Sequence, residues 1–131
     1  MVLLNRKLTQ KIYKKMQNVI LKGKLHRVTV TGNDLHYEGS ISIDRSLLEL
    51  AGIYEFEKVE IYNINTGERF ETYAIASKAG SGVVALNGAA ARKAMKGDLL
   101  IVCSYVLLSS DELGTYKPTV VKVDENNTPL R

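Results

Sequence analysis

Leu35-His36-Tyr37-Glu38-Gly39-Ser40 runs straight into Ile41-Ser42-Ile43-Asp44, a polar loop giving way to a strand that alternates with period two. Gly39 frees the backbone for a tight turn and serine is a common turn residue, so the plain reading is the turn that introduces a strand. A second reading is chemical. A serine hydroxyl lies close to its own preceding carbonyl, so a strained turn with a hydrogen-bond donor nearby favours attack and an ester in place of the amide. On that reading Gly39-Ser40 is a bond the chain cuts in itself. The loop alone leaves both open.

Outward on the N-terminal side, Val28-Thr29-Val30-Thr31 alternates and meets Gly32-Asn33-Asp34, a turn signal. Lys24 and His26 lie on one face of the same strand. Further back, Leu8, Ile12 and Met16 recur every four residues and predict a helix over 5–19, with Lys11, Lys14 and Lys15 facing elsewhere. On the C-terminal side, Asp44 can cap a helix over Arg45–Ala51 that Gly52 stops. Strands at 59–64 and 68–76 then form a hairpin through Asn65-Thr66-Gly67. On the second of these, Arg69, Glu71 and Tyr73 point to one face and Phe70, Thr72 and Ala74 to the other. Such a line is often no more than exposed sheet surface. It also offers a carboxylate ligand a bidentate fork and a hydroxyl.

A glycine-containing loop at 78–82 leads to a strand at 83–86, and Asn87-Gly88 opens a helical stretch over 89–95 that ends at Gly97. Backbone N–H groups at such an opening can hold an anion, a weak signal on its own. Residues 99–108 are the longest apolar strand, expected to be central and buried, and 119–123 give a last strand before a polar tail, 124–131, expected to be loose. Many short strands with two short helices predict a mainly β fold, a small closed or nearly closed structure with helices plugging its corners.

With 131 residues the chain is one domain's worth and can bury a proper core. No apolar run is long enough to span a bilayer and no signal-peptide pattern opens the chain. The single cysteine, Cys103, lies in an apolar strand, which fits core packing and a reducing, cytoplasmic setting. The net charge of +4 is carried by the first 15 residues, which hold five basic side chains and no acid. Removing those five from the 18 basic residues leaves 13 against 14 acids, so the remainder is nearly neutral and offers no nucleic-acid surface. His26 and His36 lack the Cys or His partners a metal site needs, and there is no Gly-Lys-Ser/Thr phosphate loop.

Four motifs in order carry a resemblance: Gly23-Lys24-Leu25-His26-Arg27-Val28, Asp34 to Ser40, Arg69-Phe70-Glu71-Thr72-Tyr73-Ala74-Ile75, and Asn87-Gly88-Ala89-Ala90-Ala91. Together they closely resemble the bacterial aspartate 1-decarboxylases, pyruvoyl enzymes that make β-alanine for pantothenate, over about residues 16–108. The resemblance implies a double-psi β-barrel over 16–131, assembled as a homotetramer with active sites between subunits, and a proenzyme that cleaves itself between Gly39 and Ser40. Residue 40 then becomes the pyruvoyl group, which forms a Schiff base with L-aspartate and does the work pyridoxal phosphate does elsewhere, with no metal. By the same likeness Thr72 stabilises the oxyanion of cleavage and Tyr73 returns a proton to the α-carbon. Arg69 suits the retained carboxylate, Lys24 and His26 support binding near the pyruvoyl, Tyr37 lines the pocket, and Asn87 with the amides of Gly88, Ala89 and Ala90 orients the substrate or the pyruvoyl carbonyl. No membrane or nucleic-acid partner is expected, and whether a maturation factor is needed is left open. Residues 1–15 exceed the usual family start near Met16, either as a basic helical extension or through a start codon assigned upstream. The tail beyond 108 follows the family only loosely. The rival reading is a non-enzymatic small barrel that binds a ligand or nucleic acid, with the basic segment as its tether.

Overall fold

The structure is a computed structural model that describes residues 2–131. Its elements in order are α1 (Val2–Lys15), β1 (Gln17–Thr29), β2 (Gly32–Asp34), β3 (Ser40–Asp44), α2 (Arg45–Ala51), β4 (Lys58–Asn63), β5 (Arg69–Ser77), β6 (Val84–Asn87), β7 (Leu99–Ser109) and β8 (Thr119–Lys122). Short 3₁₀ turns occupy Gly88–Arg92 and Ser110–Thr115. The strands form one sheet in the order β2-β6-β3-β5-β4-β7-β1-β8.

That sheet closes on itself. Only Val30 and Thr31 separate β1 from β2, and both stay hydrogen-bonded: Val30 N donates to Asp98 O and Thr31 N to Val84 O. The nearly continuous run therefore pairs with β7 along its first part and with β6 at its end, which joins the two edges of the sheet. The result is the mainly β small barrel expected from the sequence, with β8 added in parallel outside β1.

Period-two alternation sorts the side chains. Along β4, Val59, Ile61 and Asn63 are buried while Lys58, Glu60 and Tyr62 face outward. Leu25, Val28, Ile41, Ile43, Leu86, Leu100 and Val102 fill the interior from the other strands. Each such side chain contributes about 2 kcal/mol by leaving water. α2 plugs one end with Leu47, Leu48 and Ala51, and it forms as the caps predict: Asp44 accepts from Ser46 N and Gly52 closes the helix at φ 70°. Gly23 lies against the Ala51 carbonyl with no room for a Cβ, so β1 passes closely under this helix.

Four expectations are corrected. The first helix ends at Lys15 rather than 19, because from Gln17 the backbone is claimed by the ladder to β7. Gly32-Asn33-Asp34 is a strand, since its parallel partners Ala85, Leu86 and Asn87 override turn propensity. The stretch 89–95 makes only a 3₁₀ turn; Asn87 supplies no side-chain cap to it because its amide is engaged elsewhere. The tail is anchored. Asn127 is buried, its Oδ1 accepts from Thr29 N, and its Nδ2 donates to Thr29 O and Gly82 O.

Candidate active site

Ser40 is the first residue of β3 and is fully buried, directly after the exposed loop of residues 35–39. Its antiparallel partner is Asn87, the last residue of β6. This pairing sets Asn87 Nδ2 3.1 Å from Ser40 Oγ and 2.9 Å from Ser42 Oγ, donating to both. Gly88 follows at φ 63°, and a Cβ there would come within 2.6 Å of Gly39 Cα and 2.9 Å of Tyr37 O. Only glycine fits. Backbone therefore lies directly on backbone at the Gly39–Ser40 bond, beneath the turn that carries Ala89 (exposed) and Ala90 (buried).

β5 approaches from the other side of β3. Ile41 pairs with Ala74 in parallel, so Tyr73 and Ser40, each one step earlier, share the outward face of the barrel. Tyr73 is 39 % exposed. Thr72 lies on the opposite face of the same strand, half-buried and paired with Val59.

The expected cationic residues are gathered elsewhere. Arg69 lies four residues from Tyr73 along β5, roughly 13 Å, and its guanidinium stacks on the Tyr62 ring at 3.8 Å from the centroid. Arg69 pairs with Tyr62, Tyr62 with Ile101 and Ile101 with His26, so these residues form one outward row. Lys24, Cys103, Glu60 and Glu71 form the next. In the pairing order β1 lies four strands from β3. Neither Lys24 nor His26 is a ladder partner or hydrogen-bond partner of Ser40 within one chain. Neither Arg69 nor Lys24 has an acidic ion-pair partner among the described residues.

Local electrostatics follow from this layout. Burial, reinforced by Lys24, Arg27 and Lys122, holds the His26 imidazole below its ordinary pKa, so it is neutral at pH 7. Its enclosed Nδ1 has no hydrogen-bond partner among the described residues. Between the two rows, Tyr62 donates to Glu60 Oε2 at 3.0 Å and lies 2.7 Å from the Tyr105 hydroxyl. Burial pushes both phenols up, and Cys103 likewise, so all three are protonated at neutral pH and the thiol is unreactive. Among the described residues no three His, Cys, Asp or Glu side chains gather as metal ligands would.

The model of the aspartate decarboxylase family matches residues 16–130. The chain belongs to this family. It is 57% identical over 112 residues to the aspartate 1-decarboxylase of Bordetella avium, covering 86% of this chain and 92% of that one. It is 59% identical to the enzyme of Syntrophus aciditrophicus, with 86% and 97% covered. The Methylococcus capsulatus enzyme is 57% identical over 116 residues, with 88% and 92% covered.

Within this member of the family, one chain brings together Ser40, Gly39, Tyr37, Asn87 and Gly88, with Tyr73 beside them, and sets Arg69, Lys24 and His26 apart. Sequence reasoning missed Ser42, whose two-residue spacing from Ser40 was the available signal. It also missed the Tyr62–Tyr105–Glu60 network, which exists only once β4 and β7 pair.

Proposed function

We propose that this chain converts L-aspartate to β-alanine and carbon dioxide, supplying β-alanine for pantothenate and coenzyme A, after cutting its own Gly39–Ser40 bond. The reading rests on one observation: a buried serine hydroxyl that accepts from Asn87, directly after a glycine pressed against Gly88, in a chain of this family. A binding module without chemistry is not favoured by that family membership.

The chain's own residues suit each step. Ser40 Oγ attacks the Gly39 carbonyl carbon, its proton passes to the departing nitrogen, and an ester replaces the amide. The Asn87 N–H supports Oγ as it loses that proton, and Thr72 stabilises the oxyanion. Loss of the Cα proton of residue 40 then expels the Gly39 carboxylate from Cβ. Water replaces the nitrogen at Cα, releasing ammonia and leaving a pyruvoyl group. The residues present fit such a group, because Gly39 and Gly88 carry no side chain to press on residue 40 in this close-packed spot and Asn87 keeps a donor beside it. When present, the pyruvoyl ketone supplies an electron sink for the pair released as the α-carboxylate departs.

Arg69 holds the retained carboxylate through its planar fork, with Lys24 and neutral His26 beside it. Tyr73 returns a proton to the α-carbon, and Tyr37 lines the pocket. Asn87 and the N–H groups of Gly88, Ala89 and Ala90 orient the substrate. Because Arg69, Lys24 and His26 occupy other rows of the barrel wall than Ser40, we read the site as shared between neighbours in a homotetramer. Residues 16–131 form the single catalytic domain, residues 1–15 are a basic extension that is helical over Val2–Lys15, and the protein works in the cytoplasm.

Intact mass under denaturing conditions tests the reading. The incubated chain is expected as two fragments split after Gly39, the larger with a pyruvoyl start, and the product should release carbon dioxide from aspartate. Ser40→Ala should remain one inactive chain. A cut Ser40→Ala chain, or a fully cut wild type inert toward aspartate, would overturn it.

A further inference from the structure

Asn87 donates both of its amide hydrogens to serines, one to Ser40 and the other to Ser42. The terminal torsion of asparagine is broad, so hydrogen bonds decide where its amide points. The bond to Ser42 is the shorter of the two, 2.9 Å against 3.1 Å. Asn87 has no second task that would fix it, since its side chain caps nothing at the following 3₁₀ turn. Ser42 itself is rigidly held: it pairs with Ala85 on β6 and with Ile75 on β5, in the middle of the sheet.

We infer that Ser42 is a positioning residue for both the self-cleavage and the decarboxylation, acting by holding the Asn87 amide against residue 40. The inference rests on the function proposed above. Before cleavage Ser42 takes one N–H and leaves the other aimed at Ser40 Oγ, which it supports as the hydroxyl gives up its proton. Cleavage removes that Oγ, which departs in the Gly39 carboxylate. From then on, the bond to Ser42 is the one of the pair that survives, and it keeps an N–H pointed at the group residue 40 has become. Ser42 touches neither substrate nor reacting atoms in this scheme. Its influence passes through Asn87 alone.

The test uses the full chain as wild type, Ser42→Ala, Ser42→Thr, Asn87→Ala and the Ser42→Ala/Asn87→Ala double variant. Precursor decay is followed by intact mass, and kcat and KM for aspartate are then measured on the cleaved fraction. Losing one neutral hydrogen bond should slow precursor decay and lower kcat by about fivefold each in Ser42→Ala, with KM unchanged. Ser42→Thr keeps the hydroxyl and should recover wild-type rates to within about twofold. Adding Ser42→Ala to Asn87→Ala should change neither rate further, because both act through one amide. Full additivity in that double variant overturns the inference, as does wild-type behaviour of Ser42→Ala or a Ser42→Thr as slow as alanine. If Ser42→Ala fails to fold, Ser42→Cys takes its place in the same comparison. A wild type that stays uncut or ignores aspartate instead overturns the proposed function, and this inference with it.

Discussion

At the scale of single residues, the proposed chemistry separates the making of the site from its use. Tyr73 flanks residue 40 on the outward face and is half-exposed, so its phenol is free to approach a bound substrate. Ser40 and Asn87 already hold the groups that cleavage needs. Tyr73→Phe is therefore expected to cleave at close to the wild-type rate, and to lose at least about 100-fold in kcat for decarboxylation if the phenol returns the proton. Fragment masses and carbon dioxide release read the two steps separately; near-normal turnover would remove Tyr73 from that role. Alternation alone put Arg69 and Tyr73 on one face of their strand, while the Gly39-Ser40 turn left a structural and a chemical reading open until family likeness favoured the second. Asn87 was legible only through family likeness: it lies 47 positions from Ser40, and the pairing of β3 with β6 is what makes it a donor to the nucleophile. Ser42 went unread because a polar residue on an outward face needs no explanation until its partner is known.

At the scale of elements, local signals and long-range pairing divide what could be foreseen. The cap at Asp44 and the stop at Gly52 lie within eight residues of one another, and α2 came out as read. β2 and the anchored tail depend on partners across the chain, Ala85 to Asn87 and Thr29 with Gly82, and local propensity pointed the wrong way for both. Asp44 does more than cap. It also accepts from Gly80 N, Gly82 N and the Ser46 hydroxyl, tying the 78–82 loop to the end of β3. Burial pushes its carboxyl up, but the bonds from Ser46, Gly82 and Gly80 outweigh this and hold it below the ordinary value. A carboxylate with a folded-state pKa below its unfolded one stabilises fully above the unfolded value, and that stability is lost as pH falls through the depressed one. Thermal unfolding should thus be flat above about pH 5 and decline below about pH 4. Asp44→Asn should lower Tm by roughly 5–10 °C at neutral pH and flatten that acid decline. A decline as steep as in the wild type would move the acid sensitivity to other carboxylates, Asp98 first, which the Met95 N–H and Asn63 also hold low.

At the scale of the whole molecule, the distances inside one barrel argue for a site built from two. Arg69 stacks on Tyr62, roughly 13 Å along β5 from Tyr73. With Arg69 held on the Tyr62 ring, one aspartate would have to lie between two side chains spaced this far apart on the strand. On the proposed reading, the face that carries Ser40 and Tyr73 in one barrel meets the face that carries Arg69, Lys24 and His26 in its neighbour. Mixed oligomers test this without any structure determination. Arg69→Ala and Tyr73→Phe are each expected to mature and each to be nearly inactive alone. If one subunit supplies Arg69 and its neighbour supplies Tyr73, random co-assembly in equal amounts makes about a quarter of all sites wild type, and activity should recover to about that fraction. If both residues serve the same site from one chain, every site in the mixture carries one lesion or the other and no activity returns. Co-expressed chains that form mixed oligomers yet stay inactive would therefore exclude the shared site, whatever the oligomer's size.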